Sequence, residues 1–352
     1  MIIDNRKIEE RSVLKRFLLI SLCLVVFCCA VGAQETTGRV HAVIISGGMN
    51  KLMNHERYWN DCAFLYRTLR NDYHFAKQDI TLLISDGGEA DRDMLLADGS
   101  GFASSSADLD SDGERDVWLP ATLQQVTATL SELAGRLTTS DRLFLFIIDH
   151  GGFDDGQHES FAWLWGGERL YVSRLAQLLD NFHVASMSMV MGMCHSGGFA
   201  DGLRGDNRVI ATSCAVHEES WACHDRPYDE FVYQWTCAVA SHDIDGHAIN
   251  ADTDGDGFVS MSEAFSYAYQ HDRREETPQY SSTPTTLGEQ WVLSPKPLNG
   301  IGEAVAGQET LYRCYDQQGR RMPMPSTAAV KHLKKLNAKQ SFGPSPIIII
   351  KP

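Results

Sequence analysis

The sequence has few of the features typical of nucleic-acid-binding, membrane-spanning or repeat proteins. Its 352 residues include 31 Lys and Arg against 46 Asp and Glu, which gives a formal net charge of -15. A surface of this sign repels phosphate and anionic lipid, so no nucleic acid partner is expected. Only one apolar run, at residues 17–31, approaches the length of a membrane span, and no solenoid-type repeat is present. The length and the 43% hydrophobic content suit one large α/β domain.

The N-terminus has the pattern of an export signal. Arg11, Lys15 and Arg16 precede the apolar run, and two small residues follow it. A basic segment, a short apolar segment and a small-residue exit are typical of a cleaved signal peptide. The run is shorter than the roughly 20 residues that a spanning helix needs, so a retained anchor is the weaker alternative. We therefore predict a signal peptide at residues 1–33 and a secreted, cell-surface or periplasmic protein without a stable membrane span.

The cysteine content is consistent with export but does not define a disulfide framework. Three of the nine cysteines lie in the predicted signal, which leaves six. An oxidising compartment would allow some of these to pair, and Cys214 and Cys223 are the closest two in sequence. If one of the six is a working thiol, an odd number remains, and at least one more is unpaired or pairs between chains.

Short apolar runs rich in β-branched residues alternate with segments of helical periodicity. The runs are continuous, as in parallel strands that are buried on both faces. The alternation predicts right-handed βαβ units in a three-layer α/β/α sandwich with a mostly parallel sheet, over residues 34–295. The predicted strands are 39–46, 80–84, 142–148, 186–191 and 208–213; the predicted helices are 58–73, 120–137, 170–182 and 228–241; and 86–116 is predicted to be a long loop.

Two side chains suited to nucleophilic catalysis follow two of these strands. His150 comes shortly after the strand at 142–148, Cys194 shortly after the strand at 186–191, and paired glycines follow both. Ligands bind at the carboxyl ends of strands in open parallel sheets. An imidazole and a thiol that meet there suit catalysis because the base can take the thiol proton. A nearby helix N-terminus would lower the pKa of Cys194 further, and the amides of Gly151 and Cys194 are candidate oxyanion donors.

The sequences around these residues resemble a known peptidase family. LFIIDHGG at 145–152 and VMGMCHSG at 190–197 are similar to the His-Gly and Cys-x-Ser-Gly motifs of the legumain (asparaginyl endopeptidase) family of caspase-like cysteine peptidases. HAVIISGG at 41–48 and TSCAVHEESWAC at 212–223 extend the resemblance, which covers residues 40–291. The resemblance implies a caspase-like fold and an endopeptidase that hydrolyses peptide or protein substrates through an acyl-enzyme. Cys194 would attack the scissile carbonyl, and His150 would protonate the leaving amine and then activate water.

The resemblance also implies a charged pocket for the P1 residue of the substrate. By position, its lining would be Arg57, Ser220, Trp221 and either Asp229 or Glu230. The family has a glutamate two residues before the nucleophile, where this chain has Gly192. The loss of that carboxylate weakens the case for asparagine at P1. An acid such as Glu219 or Asp229 would instead favour a basic P1 residue, as in clostripain- and gingipain-like relatives.

One acidic segment matches the loop of a calcium-binding EF-hand. Residues 252–263 place oxygen-bearing side chains at loop positions 1, 3, 5, 9 and 12, with Gly257 at the turn position. The predicted calcium ligands are Asp252, Asp254, Asp256, Ser260 and Glu263, with the backbone carbonyl of Phe258. We expect Ca²⁺ to be structural or regulatory here, with no cofactor needed for the chemistry.

A second segment begins in the same way but is incomplete. Its candidate ligands are Asp108, Asp110, Asp112, Glu114 and Asp116. The twelfth position is Leu119, so the bidentate glutamate of an EF-hand is missing. The alternative for both segments is a solvated acidic turn.

The C-terminal segment at 296–352 differs in sequence pattern from the preceding domain. Strand-like runs at 311–315 and 347–350 flank a basic stretch. The segment faintly resembles the β-rich sorting tails of some bacterial secretion systems, and a docking hairpin or a flexible tail is the alternative.

Two other functions remain open at the level of sequence. Gly192-x-Cys194-x-Ser196 also resembles the nucleophile elbow of α/β hydrolases, with Cys in place of Ser. In that fold the catalytic histidine follows the nucleophile, and the chain offers His217, His224, His242 and His247. The second alternative is an inactive peptidase homologue that acts as a calcium-stabilised binding protein.

Overall fold

The computed structural model describes residues 38–117 and 119–294, together with the backbone of three short strands nearer the C-terminus. The predicted signal peptide at 1–33 lies outside the described residues. Within the part of the chain that is described, no helix is both long enough and apolar enough to cross a membrane.

The core of the protein is a six-stranded, mostly parallel sheet. The order of its strands is β11-β10-β9-β5-β1-β2; all neighbours are parallel except β10 and β11. The strands are β1 (Val40–Ser46), β2 (Ile80–Ile84), β5 (Arg142–Ile148), β9 (Ser186–Gly192), β10 (Arg208–Thr212) and β11 (Gln279–Thr283). The two central strands, β5 and β9, pair from Arg142 with Ser186 to Ile148 with Gly192.

Helices cover both faces of this sheet because its strands are apolar on both sides. Along β5, Phe144 and Phe146 point into one buried cluster, and Leu143 and Leu145 point into the other. Helices α1 (Glu56–Arg67), α5 (Glu230–Ala240) and α6 (Met261–His271) pack on the first face, and α2 (Leu123–Arg136), α3 (Val172–Leu179) and α4 (Gly197–Gly202) pack on the second. The result is the three-layer sandwich expected from the alternation of strands and helices.

Smaller elements complete the fold. A three-stranded antiparallel sheet contains β6 (Gly151–Asp154), β7 (Glu159–Leu164) and β8 (Glu168–Tyr171). The remaining elements before residue 295 are the hairpin β3 (Met94–Leu95) and β4 (Phe102–Ala103), the π-helix Thr68–Asp72, the 3₁₀-helix Lys77–Asp79 and α7 (Leu287–Gln290). Strands β12 (Arg313–Tyr315), β13 (Arg321–Met322) and β14 (Ile348–Ile350) form a separate antiparallel sheet.

The structure corrects two of the predicted helices. The helix predicted at 120–137 begins at Leu123, because the hydroxyl of Thr122 caps it by accepting the amide of Gln125. The helix predicted at 170–182 is shorter, because residues 168–171 instead pair with β7 as a strand. The antiparallel sheet of β6–β8 was not predicted; two of its strands, β6 and β8, have only four residues each and are mostly not buried.

The described cysteines form no disulfide. Cys62, Cys194, Cys214, Cys223 and Cys237 are all free thiols. Cys214 and Cys223, the closest two in sequence, are not paired with each other, and the thiol of Cys214 lies 3.3 Å from the carbonyl oxygen of Met193.

Gly47, at the end of β1, is packed closely against the backbone of β7. A β-carbon there would collide with the backbone of Leu164, so we expect Gly47→Ala to destabilise the fold by about 1–3 kcal/mol. Gly135→Ala is the matched control. It lies exposed in α2 with nothing near its added β-carbon, and should stabilise by about 0.5 kcal/mol. Urea unfolding measures both changes, and an unchanged midpoint for Gly47→Ala would contradict the packing described.

Candidate active site

His150 and Cys194 are brought together by the two central strands. The ladder between β5 and β9 ends where Ile148 pairs with Gly192, and the amide of Asp149 then donates to the carbonyl of Gly192 at 3.2 Å. Both chains leave the sheet at this edge. Gly151 lies so close to Cys194 that an added β-carbon would collide with the Cys194 carbonyl. The predicted meeting of imidazole and thiol segments at one sheet edge is therefore what the backbone provides.

The thiol of Cys194 is held against the backbone of Ser220. The Ser220 amide donates to Sγ at 3.3 Å, and Sγ lies 3.7 Å from the Ser220 carbonyl oxygen. Burial raises the pKa of Cys194, the Ser220 backbone lowers it, and the acidic groups Glu219, Asp229 and Glu276 raise it. The expected lowering of this pKa by a helix N-terminus is wrong for the free site, because burial and negative charge outweigh the favourable dipoles.

The imidazole of His150 is packed between two other rings. The ring of His55 lies 5.2 Å away and that of Tyr58 lies 5.3 Å away, both edge-on. Its Nε2 is 3.2 Å from the carbonyl oxygen of Met53. Burial lowers the pKa of His150 to about 4, and the positive charge of Arg57 adds to this effect. His150 is therefore neutral at physiological pH and able to accept a proton.

Thiol and imidazole are both neutral in the free site. The raised pKa of Cys194 and the lowered pKa of His150 each disfavour the charged form. A thiolate–imidazolium pair is thus not formed in advance, and proton transfer must accompany attack on a substrate. This chemistry differs from that of cysteine enzymes whose resting state is an ion pair.

Asp149 ties the end of β1 to the His150 segment. Its carboxylate accepts the amide of Gly48 at 2.6 Å and the amide of His150 at 2.6 Å. The side chain is buried, so the residue acts on the backbone of the site and does not face a substrate. Its position explains why an aspartate precedes the histidine without any role in proton transfer.

Arg57 and Asp229 form the charged centre of the predicted pocket. The Nε of Arg57 lies 3.1 Å from both carboxylate oxygens of Asp229. Asp61 lies behind them, where its Oδ2 accepts the amide of Asp229 at 3.1 Å. Burial and the charge of Asp229 raise the pKa of Asp61 well above its ordinary value. Burial therefore disfavours a charge on Asp61, and Arg57 forms an ion pair with Asp229.

The other predicted pocket residues divide into two groups. Ser220 contacts the thiol, and the ring of Trp221 is 40% exposed under the guanidinium of Arg274. Glu230 is fully buried and faces elsewhere, since its Oε1 accepts Gln234 at 2.9 Å. Asp229, rather than Glu230, is therefore the acid beside Arg57.

Gly192 has no space for the glutamate of the legumain family. A β-carbon there would lie 2.5 Å from Cγ1 of Val232 and 2.7 Å from Cδ1 of Ile148. The two apolar side chains fill the space in which a longer side chain would begin. The change at this position is thus a repacking of the pocket wall with apolar groups.

Sequence reasoning did not assign functional roles to several residues of the site. His55 and Tyr58 pack on His150, and Asp61 and Glu276 adjoin residues of the predicted pocket. The first three lie within four positions of Arg57, at the start of α1, so a search around that residue would have found them. Glu276 is 82 positions from Cys194 and follows no recognisable motif, so the sequence gives no signal for it.

The histidines required by the α/β-hydrolase alternative have other partners. The ring of His217 lies 5.0 Å from that of Phe153, and His242 binds Asp72 at 3.1 Å. His247 binds Asp243 at 2.9 Å, and His224 contacts Arg274. His150 lies two residues beyond the end of β5, whose neighbour β9 leads to Cys194.

The first predicted calcium loop brings three of its acids together. Carboxylate oxygens of Asp252, Asp254 and Glu263 lie within 4.8 Å of one another, as a bound cation would require. Asp256 falls outside this group, and its Oδ1 accepts the amide of Phe258 at 2.8 Å. Ser260 caps α6 in a reciprocal capping box with Glu263. This donor set suits a hard divalent cation such as Ca²⁺.

The second loop is partly neutralised by Lys77, a residue outside it. Asp108, Asp110 and Asp116 have carboxylate oxygens within 4.8 Å of one another. The ammonium of Lys77 lies 3.1, 3.2 and 3.0 Å from Asp112, Glu114 and Asp116. Asp112 and Glu114 are therefore turned toward lysine, and a cation would compete with Lys77 for Asp116. A third group, Asp243, Asp245 and His247, was not predicted.

Comparison with known proteins supports a cysteine peptidase. A model of the Peptidase C13 family, which is legumain-like and of the caspase-fold clan, matches residues 123–288, a segment that contains His150 and Cys194. The crystal structure of a protein from Geobacter sulfurreducens aligns with a TM-score of 0.45 and 13% identity, over 71% of this chain and 97% of that chain. A search of curated proteins finds no match. The family match indicates cysteine-type peptidase activity on peptide or protein substrates.

The burial of the thiols predicts which one reacts in the folded protein. Cys194 is half-buried, whereas Cys62, Cys214, Cys223 and Cys237 are buried. Iodoacetamide should therefore modify Cys194 before these four. Because burial raises the pKa of Cys194, the labelling rate should rise at a higher pH than it does for an ordinary thiol. Peptide mapping after timed alkylation measures this. Preferential modification of a buried cysteine, or a plateau already reached at pH 6, would contradict the description.

Proposed function

We propose that the protein is a secreted cysteine endopeptidase in which Cys194 is the nucleophile and His150 the general acid and base. The observation that carries the proposal is the end of the β5–β9 ladder, where Gly151 abuts Cys194 and His150 is neutral. The signal-like pattern at residues 1–33 supports the export part of the proposal.

The proposed reaction has two stages. The thiol of Cys194 loses its proton to His150 as sulfur bonds to the scissile carbonyl carbon, and the amides of Gly151 and Cys194 are the proposed donors to the oxyanion. His150 then gives the proton to the leaving amine as the C–N bond breaks. In the second stage His150 takes a proton from water, the hydroxide attacks the thioester, and the proton returns to the sulfur as the thiolate leaves.

The pocket electrostatics favour a neutral amide side chain at P1. Asp229 is already paired with Arg57, and burial disfavours a charge on Asp61, so no acid of this group carries an unbalanced charge. A lysine or arginine at P1 would have to break the Arg57 pair or bring an unmatched positive charge beside it. An asparagine side chain offers an acceptor to Arg57 and donors to Asp229. We therefore propose asparagine, in preference to a basic residue, at P1.

Calcium is proposed to stabilise the loop at 252–263. The oxygen donors of Asp252, Asp254 and Glu263 converge at one end of α6, and this end is far in sequence from Cys194. Ca²⁺ is a poor generator of nucleophiles, so its proposed role is to order the loop.

Fluorogenic peptides that differ only at P1 test the proposed activity. We expect cleavage after asparagine to exceed cleavage after aspartate or lysine by about tenfold or more, because only the amide matches the balanced Arg57–Asp229 pair. Cys194→Ala and His150→Ala should each reduce kcat by about 10³-fold or more.

Two outcomes would contradict this proposal. Cleavage that persists in His150→Ala would exclude the dyad, and a preference for lysine at P1 would exclude the balanced pocket. Cys214→Ala is the matched control for loss of a thiol, because Cys214 lies nearby but is buried, and it should retain activity.

Thermal unfolding with and without calcium tests the loop at 252–263. Calcium at a hundredfold excess over its Kd should stabilise the protein by about 2.7 kcal/mol and raise its Tm. Asp254→Asn should remove most of this increase, because it deletes a ligand charge. Asp155→Asn changes the same charge at an exposed site outside the loop and should leave the increase intact. A Tm that does not respond to calcium in the unaltered protein would refute the site.

A further inference from the structure

The chain segment that contacts the Cys194 thiol is clamped by residues from after α6. The carboxylate of Glu218 accepts the amide of Thr277 at 2.9 Å and its hydroxyl at 3.0 Å. In the opposite direction, Oε2 of Glu276 accepts the amide of Trp221 at 3.0 Å. Ser220 lies between these two attachment points, and its amide donates to the thiol. The position of Ser220 therefore depends on both carboxylates.

Glu276 is itself held by a second carboxyl group. Its Oε1 and the Oδ2 of Asp272 are both buried, and no N–H or O–H donor of the described residues reaches either atom in hydrogen-bond geometry. The two carboxyls hydrogen-bond to each other. Burial raises the pKa of both carboxyls, and two ionised carboxylates side by side would repel, so a form of the pair that keeps one proton is favoured. Asp272 is the residue that ends α6, so the pair fixes Glu276 to a helix terminus.

We propose that Glu276 is a positioning residue for the nucleophile: through the Trp221 amide it holds Ser220 against the thiol of Cys194. The proposal rests on the proposed function only in calling Cys194 the nucleophile. Glu276 does not touch the reacting atoms; it holds this segment through the Trp221 amide and through a side-chain hydrogen bond with Ser220. Glu276 thus constrains the position of Ser220 from a segment that is distant in sequence from the motif around Cys194.

The shared proton makes this constraint sensitive to pH. Burial, followed by the charge of Asp272, raises the pKa of Glu276 to about 9. Below that pH the pair carries one negative charge, and above it the pair carries two. The added charge disfavours the thiolate of Cys194, which Glu276 already destabilises through space. Among the described residues, the other charged or titratable groups that interact with the pair or the thiol are Tyr58, Glu219, Asp229, Glu230, Arg274 and Cys214.

Two substitutions separate the parts of this role. Glu276→Gln keeps an oxygen acceptor for Trp221 and leaves one charge on Asp272, so it matches the protonated pair. Glu276→Ala removes the acceptor and should free Ser220 to move away from the thiol. The exposed neighbour Glu275 provides the control, Glu275→Gln, with the same change of charge.

The rate of Cys194 alkylation by iodoacetamide, measured from pH 6 to 10.5, tests the proposal. Glu276→Gln should match the unaltered protein below pH 8 within about twofold and exceed it severalfold above the pKa of about 9. In Glu276→Ala the thiolate loses the Ser220 amide, so the pKa of Cys194 should rise and the alkaline inflection should move to higher pH. Labelling near pH 8 should then be slower by about tenfold for each pH unit by which the inflection moves. Glu275→Gln should follow the unaltered protein throughout.

An alkaline inflection in Glu276→Ala that coincides with that of the unaltered protein would overturn the proposal, because the contact with the Trp221 amide would then have no effect on the thiol. Glu276→Asp keeps the charge but shortens the side chain that reaches Trp221, and the same comparison decides the question if Glu276→Ala does not fold. The readout needs no peptide substrate, so the two proposals fail separately. A labelling shift in a protein that cleaves no peptide would remove the proposed function and keep the positioning role. A labelling profile that is unaltered by the substitutions, in a protein that cleaves peptides, would keep the proposed function and remove the positioning role.

Discussion

The register between β5 and β9 is the constraint on which the site depends. Seven consecutive pairs run from Arg142 with Ser186 to Ile148 with Gly192, and both strands end at the same level of the sheet. Because the two strands are neighbours and parallel, the next residues of each must emerge side by side. Asp149 then fixes the emerging backbone by accepting the amides of Gly48 and His150. A sheet that is buried on both faces cannot slip without exposing its core, so the spacing of thiol and imidazole segments is set by the fold.

Burial around this edge determines the charge state of the site. It keeps the imidazole of His150 and the thiol of Cys194 neutral. It also raises the pKa of acids that lie in pairs, Asp61 beside Asp229 and Asp272 beside Glu276. Arg57 forms an ion pair with Asp229 of the first pair. In such a buried setting, charge that develops on a substrate is weakly screened and fixed dipoles act strongly on it.

The sequence patterns predicted those parts of the structure that depend on neighbouring residues in the sequence. Continuous apolar runs identified the parallel strands, and the carboxyl ends of 142–148 and 186–191 located His150 and Cys194. The strand at 168–171 was missed because its partner, β7, decides its conformation. Glu276 was missed for a similar reason, since only the folded chain brings it to Trp221. The acidic loops were visible in sequence, but the turning of Asp112 and Glu114 toward Lys77 depends on a contact 35 or more residues away.

A covalent intermediate is the most direct consequence of the proposed chemistry. An asparaginyl ester or peptide substrate, mixed with the protein and quenched in acid within its first turnovers, allows mass spectrometry to detect an acyl group on the peptide that contains Cys194. The account predicts a thioester at Cys194 that is absent in Cys194→Ala, and slow to form in His150→Ala because no base takes the thiol proton. Substrate turnover by the unaltered protein with no acyl group on Cys194 under conditions that trap such intermediates would contradict it.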